Sequence, residues 1–288
     1  MVSGFSRTQE LLVNTHSPPA RKRPVGFFVY HPDRVLIAAA RSAATYLGVS
    51  VYVLITGPIG MLLALAFGWT RVLYVFGHGG VRLGLALSGI SYRVAGAEHL
   101  PLDRPAVYCA NHQSNVDPPL LFDALHPVMH ILYKAEINRI PILARAFRLG
   151  GFIPVDRRNK EAALRSIEAG AQSIRSGNSF LIFPEGTRSP TAEMLPFKKG
   201  GFVTAIKAQA PIVPVAVQGG REAMRRGSPV IRPAAVSIRV GEPIETAGLT
   251  LDDRTALIAR VREQIAALLA LGPVEADTEL TNSVSKSA

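Results

Sequence analysis

At 288 residues the chain is long enough for one large domain with an appendage, and 48% apolar side chains suffice for a sizeable core. A net charge of +11 draws the surface to phosphate groups, but only 7% of residues are aromatic and no basic stripe interleaves with them, so no nucleic-acid partner is expected. The single cysteine, Cys109, excludes an internal disulfide and a cysteine zinc site, and the seven histidines fall in no short metal-binding spacing, so no metal is expected.

Residues 1–34 read as a basic polar tail ("SPPARKRP") without apolar periodicity. Residues 42–70 carry no charged side chain, a run longer than the roughly 20 apolar residues that cross a bilayer core. Residues 35–89 are therefore expected to anchor the chain in a membrane. Within this run "TGPIG" (56–60) is a break, because Pro58 removes a backbone donor and clashes with the preceding turn. A kinked single span and a re-entrant hairpin with arms at 42–56 and 59–69 both remain open. Basic residues before the run (Arg21, Lys22, Arg23, Arg34, Arg41) and after it (Arg71, Arg82, Arg93) favour the hairpin, with both flanks on the cytoplasmic face of the inner membrane. The apolar but glycine-broken stretch 72–89 reads as an interfacial helix linking anchor to body.

From residue 90 the texture changes to short β-rich runs at 90–94, 106–110, 128–133, 152–155, 179–183, 212–217 and 235–240. Helical patterns lie between them. The clearest are 160–176 and 252–271, the latter capped by Asp252 and stopped by Gly272 and Pro273; shorter helices are expected after Asp117, Pro141 and Phe197. This alternation predicts an α/β domain over 90–272, with a mixed, largely parallel sheet of about seven strands flanked by helices. Residues 273–288 read as a disordered tail.

In such a sheet, reactive groups collect in loops past the strand C-termini. "NHQSNVDPP" (111–119) directly follows the strand "AVYCA". Asp117 before Pro118 suits a helix cap, and on that reading the segment is only a polar loop entering a helix. On the other reading His112 is a general base, and Asp117 fixes its tautomer while still capping the helix. "FPEGTRS" (183–189) follows another apolar strand. Glu185, Gly186, Thr187 and Arg188 combine an unhindered backbone, a hydroxyl and a guanidinium, which suits a phosphate, although the same residues also make an ordinary turn. Glu185 can accept from a substrate hydroxyl or position Arg188. "GGFIPVDRRN" (150–159) brings Asp156, Arg157 and Arg158 to the same sheet edge, as ligands or as a solvated surface cluster. Cys109, inside an apolar strand, reads as a core residue.

Four blocks, "NHQSNVD", "GGFIPVDRRN", "FPEGTRS" and "APIVPVAV" (210–217), resemble in order and spacing those of the glycerolipid acyltransferase family, most closely the bacterial 1-acyl-glycerol-3-phosphate acyltransferases. The resemblance spans about residues 90–245. It implies a membrane-bound O-acyltransferase that moves a fatty acyl group from acyl-CoA or acyl-carrier protein to lysophosphatidic acid in the bilayer, with no cofactor. By the same resemblance His112 is the base, Asp117 its orienting partner, and Glu185, Gly186, Thr187 and Arg188 hold the glycerol phosphate. Arg157 corresponds to the arginine of the second block and Lys134 to a lysine after the next strand. The second block departs from the family at Pro154, where a bulky residue is usual. Rival readings are another lyso-lipid acceptor, such as a lysophospholipid or a lyso-ornithine lipid, and a non-catalytic protein that binds membranes through its basic face.

Overall fold

The computed structural model describes residues 32–156 and 159–275. Of the expected tails 1–34 and 273–288, residues 1–31 and 276–288 lie outside the described residues, as do Arg157 and Arg158, while 32–34 belong to the first helix.

The apolar N-terminal run is one helix, α1 (Pro32–Phe67), whose 36 residues extend about 54 Å at the helical rise of roughly 1.5 Å per residue. It continues through Pro58, so the expected turn at 56–60 is not where the chain reverses. Proline removes one backbone bond, but side-chain bonding and packing support the turn that precedes it. Thr56 Oγ1 donates to Tyr52 O at 2.8 Å, and Gly57 lies against Ile142. The reversal comes at residues 68–70, where Gly68 adopts φ +71°. From there α2 (Arg71–Ser88) returns antiparallel along α1. Gly60 of α1 packs on Leu73 and Phe76, Tyr52 packs on Gly79 and Gly80, Val49 on Gly84, and Gly48 on Leu87. The glycines that read as breaks in a linker are therefore the contact face of a complete helix.

Two sets of polar contacts join this hairpin to the body. Ser42 Oγ accepts from Ile231 N at 2.8 Å, and Tyr46 donates its hydroxyl to Pro229 O at 2.7 Å. On α2, His78 and Arg82 meet the buried Asp123 carboxylate at 2.9 and 3.0 Å, and Tyr92 donates to its other oxygen at 2.9 Å.

All seven expected strands form: β1 (Ile90–Ala95), β2 (Val107–Ala110), β3 (Met129–Lys134), β4 (Ile153–Val155), β5 (Ser179–Ile182), β6 (Ile212–Gln218) and β7 (Ala234–Val240). They make one sheet in the order β1-β7-β6-β2-β5-β3-β4, parallel throughout except between β6 and β7. Pro154 is tolerated because β4 is the edge strand and pairs only with β3. Both faces are covered, as near-continuous apolar strands require. Tyr108, Val213, Val215 and Val217 pack under α2 and α3 (Asp117–Leu125), while Val107, Cys109, Ile212 and Ala216 pack in a second cluster with residues of α6 (Gly200–Ala208) and α8 (Arg254–Ala270). Each such fully buried aliphatic side chain contributes about 1.5 to 3 kcal/mol.

The connections set the place of the site. From β2 the chain crosses over β5 to reach β3, whereas from β5 it crosses over β2, in the opposite direction, to reach β6. The two connections run over opposite faces of the sheet, α3 on one and α6 on the other, and neighbouring strands whose loops part in this way open a crevice at their C-terminal ends. The loops that leave β2 and β5 there are "NHQSNVD" and "FPEGTRS".

Two helix starts differ from expectation. The last helix begins at Arg254 with Asp253 in the cap position, and the Asp253 carboxylate turns back to Thr250 N and Oγ1 instead of capping. Asp117 does not cap α3 either. Pro118 and Pro119 have no N–H, so the first turn leaves little to cap, and the carboxylate faces the loop that precedes it.

Candidate active site

Asp117 is fully buried, and one of its oxygens gathers the whole loop. Oδ2 accepts from His112 Nδ1 at 3.0 Å, Gln113 N at 2.7 Å and Ser114 N at 2.7 Å. A carboxylate cannot donate, so His112 Nδ1 carries a proton and Nε2 is left as the basic nitrogen. The His112 side chain, 15% exposed, stacks on Phe183 with ring centroids 4.2 Å apart. Its backbone is bracketed by the loop from β5. His112 N donates to Glu185 Oε1 at 2.8 Å, and His112 O accepts from Ser189 N at 2.8 Å.

Glu185 is 2% exposed, and its second oxygen accepts from Leu195 N at 2.9 Å. Burial pushes its carboxyl above the usual range, although the bonds from Leu195 and His112 oppose this. With both oxygens engaged by backbone N–H groups, it is a clasp between the two loops. Neither oxygen is bonded to the Arg188 guanidinium among the described residues. The turn that follows is open: Gly186 has φ +72°, Thr187 is exposed, and Arg188 is half-buried. Arg188 O accepts from Arg226 at 3.0 Å, while no hydrogen bond or ion pair engages its guanidinium among the described residues. Lys198, in the "FKKG" that follows, donates its backbone N–H to Pro184 O at 2.7 Å and lays its exposed amine across Gly186. Sequence reading missed this lysine, which lies well beyond "EGTR" in the chain.

Lys134 ends β3, two strands from β2, where it is 62% exposed and paired with Glu136 at 3.1 Å. The structure does not bring it to His112. Cys109 is fully buried in β2, and burial raises its thiol far above the usual range, which leaves it inert as a nucleophile.

An apolar cavity of about 650 Å³ lies between the hairpin and the body, within the roughly 300 to 1,000 Å³ typical of ligand sites. Tyr52, Gly77, Gly80 and Phe122 line its walls. Asn115, Val116 and Pro118 bring it to the loop that carries His112 and Asp117.

A His-Asp pair over the switch point of an α/β sheet, with an apolar cavity beside it, suits an O-acyltransferase, and residues 91–218 match the Acyltransferase family. The chain is 33% identical over 215 residues to a 1-acyl-sn-glycerol-3-phosphate acyltransferase of Cocos nucifera, covering 74% of this chain and 69% of that protein. It is 30% identical over 244 residues to one of Saccharomyces cerevisiae, covering 84% and 78%. The crystal structure of the 1-acyl-sn-glycerophosphate (LPA) acyltransferase of Thermotoga maritima superposes with a TM-score of 0.72 at 22% identity, over 83% of this chain and 99% of that one, and so has the same fold. The chain belongs to the 1-acyl-sn-glycerol-3-phosphate acyltransferase family.

Proposed function

We propose that this O-acyltransferase moves a fatty acyl group from acyl-CoA or acyl-carrier protein to the free hydroxyl of lysophosphatidic acid, giving phosphatidic acid. The observation that carries this reading is a junction. A histidine with one fixed tautomer sits between an apolar cavity and a turn bearing two cations, Arg188 and Lys198. His112 Nε2 takes the proton of the acceptor hydroxyl as its oxygen attacks the thioester carbonyl, and the charge that forms on the ring is stabilised by Asp117. The tetrahedral intermediate collapses by breaking the C–S bond, and the departing thiolate recovers the proton from His112. Thiolate leaves readily, so no enzyme nucleophile and no cofactor is needed. The cavity takes the acyl chain, and Arg188 and Lys198 hold the phosphate.

The hairpin supports attachment to a membrane, where the lyso-lipid resides. Leu47, Leu54, Ile55, Leu62, Leu65 and Phe67 of α1 are exposed large apolar groups on a helix long enough to span a bilayer. Because α1 and α2 run antiparallel, both ends of the hairpin lie on one side, which we assign to the cytoplasmic face of the inner membrane.

Purified protein in detergent, given both donor types and a panel of lyso-acceptors, tests the proposal. Lysophosphatidic acid should be preferred over lysophosphatidylcholine and a lyso-ornithine lipid, and His112→Ala should lower its turnover about a hundredfold or more. A preference for a zwitterionic acceptor would overturn the substrate assignment, and unchanged turnover in the variant would overturn the mechanism.

A further inference from the structure

The fourth block supplies a rear wall for the catalytic loop. Asn111 pairs doubly with the end of β6, its Nδ2 donating to Val217 O at 2.9 Å and its Oδ1 accepting from Val217 N at 2.7 Å. Ser114 Oγ donates to Met224 O at 2.8 Å. Between these two anchors lie Gly219 and Gly220, which are glycine for different reasons. Gly219 has φ +99°, and a side chain there would run into the Ala235 carbonyl. Gly220 opens the short helix α7 (Gly220–Ala223), and its φ is not positive, so its backbone would accept alanine. A Cβ at position 220 would instead overlap Asp117 Oδ1, far inside the roughly 3.5 Å at which carbon packs on a non-bonded heavy atom, with Ser114 Cβ at 3.3 Å and Asp117 Cγ at 3.4 Å closing the rest of the space. Among the described residues, Oδ1 is the Asp117 oxygen that has no hydrogen-bond partner. The three bonds to Oδ2 fix the carboxylate plane, and Oδ1 then packs against Gly220.

We infer that Gly220 is a positioning residue for the transfer reaction. Its missing side chain is the space that lets Asp117 turn Oδ2 toward His112 Nδ1 and the N–H groups of Gln113 and Ser114. A methyl group at 220 pushes the carboxylate out of line with His112. This rests on the reading of His112 and Asp117 as the base and its partner.

The test is a double-mutant cycle. Gly220→Ala should lower kcat about a hundredfold while leaving the KM for donor and acceptor within about twofold, the pattern of a lost transition-state interaction. Asp117→Ala removes the overlapping oxygen, so in that background Gly220→Ala should cost no further rate. Additive losses in the double variant, or a Gly220→Ala enzyme with normal kcat, would overturn the inference. Should Gly220→Ala fold poorly, thermal unfolding decides the matter. The double variant should then melt with Asp117→Ala alone, and a defect that persists in the double variant would refute the overlap. If Asp117→Ala itself retains full rate, it is the assignment of the base pair that fails.

Discussion

Replacing Asp117 by asparagine separates the charge of this carboxylate from its geometry. Three donors converge on Oδ2, and two of them are backbone N–H groups at 2.7 Å. The asparagine oxygen must take that position, since its NH2 would face donors with a donor. The oxygen still accepts from His112 Nδ1, so the loop and the tautomer survive and only the negative charge is lost. Two unit charges 3.0 Å apart at an effective dielectric constant of about 20 attract by about 5 kcal/mol. His112 is 15% exposed, so some of that is already screened by water, and about 3 to 5 kcal/mol remains. In the proposed mechanism the charge on His112 forms as it takes the hydroxyl proton, so this energy belongs to the transition state. Asp117→Asn should therefore lower kcat by about a hundredfold to several thousandfold, with little change in either KM. Release of free thiol from acyl-CoA, read continuously with a thiol reagent, gives both constants. A variant within threefold of the parent rate would show that His112 gathers no positive charge in the rate-limiting step.

Removing a cation from the proposed phosphate turn, by Arg188→Ala or Lys198→Met, should raise the KM for lysophosphatidic acid about tenfold or more and leave the donor KM unchanged; a rise confined to the donor would place the cations on the wrong substrate. Gly77→Leu should crowd the cavity, because even a Cβ there comes within 3.2 Å of Phe122. Each methylene excluded from the cavity forfeits about 0.8 kcal/mol, or about fourfold in kcat/KM, so competition between long and short acyl donors should shift toward the short chain. His130 concerns stability. Burial pushes its imidazole down to about 4, against about 6.5 in an unfolded chain. Between those values the unfolded chain binds a proton that the native state does not, so stability falls as pH drops through 6.5 and levels off near 4, a loss of about 3 kcal/mol. His130→Phe should flatten this part of the stability curve, as read from urea midpoints at pH 7 and 4.5; an unchanged slope would refute the assignment.

The seven strands were legible because a strand buried on both faces is a short apolar run, and little else in a chain looks like one. The hairpin turn was not. Gly57 and Pro58 are strong breakers in water, yet a helix packed along α2 and against Ile142 of α4 (Pro141–Leu149) carries them, while the real reversal at Gly68 drew no notice. The glycines at 77, 80 and 84 recur at the spacing of one helix face and could have been read as a packing surface. At the site, the pairing of His112 with Asp117 was read from spacing and resemblance, and the geometry joins them. What sequence cannot convey is the direction in which a carboxylate points. The Glu185 carboxylate is buried, with both oxygens on backbone N–H groups, and no residue pattern in "FPEGTRS" announces that orientation.

The same limit explains Asp117. An aspartate before proline reads as a helix cap, and it is natural to suppose that one carboxylate serves both the helix and the histidine. The second proline removes the need for a cap, since neither Pro118 nor Pro119 offers an N–H. Oδ2 is thereby committed wholly to the loop, and Oδ1 is pressed against a glycine that follows the fourth block. Two prolines and a glycine thus set the direction in which the Asp117 carboxylate points. Change at Thr187, exposed on an open turn, should therefore cost far less than change at Gly220, where a single methyl group meets the carboxylate.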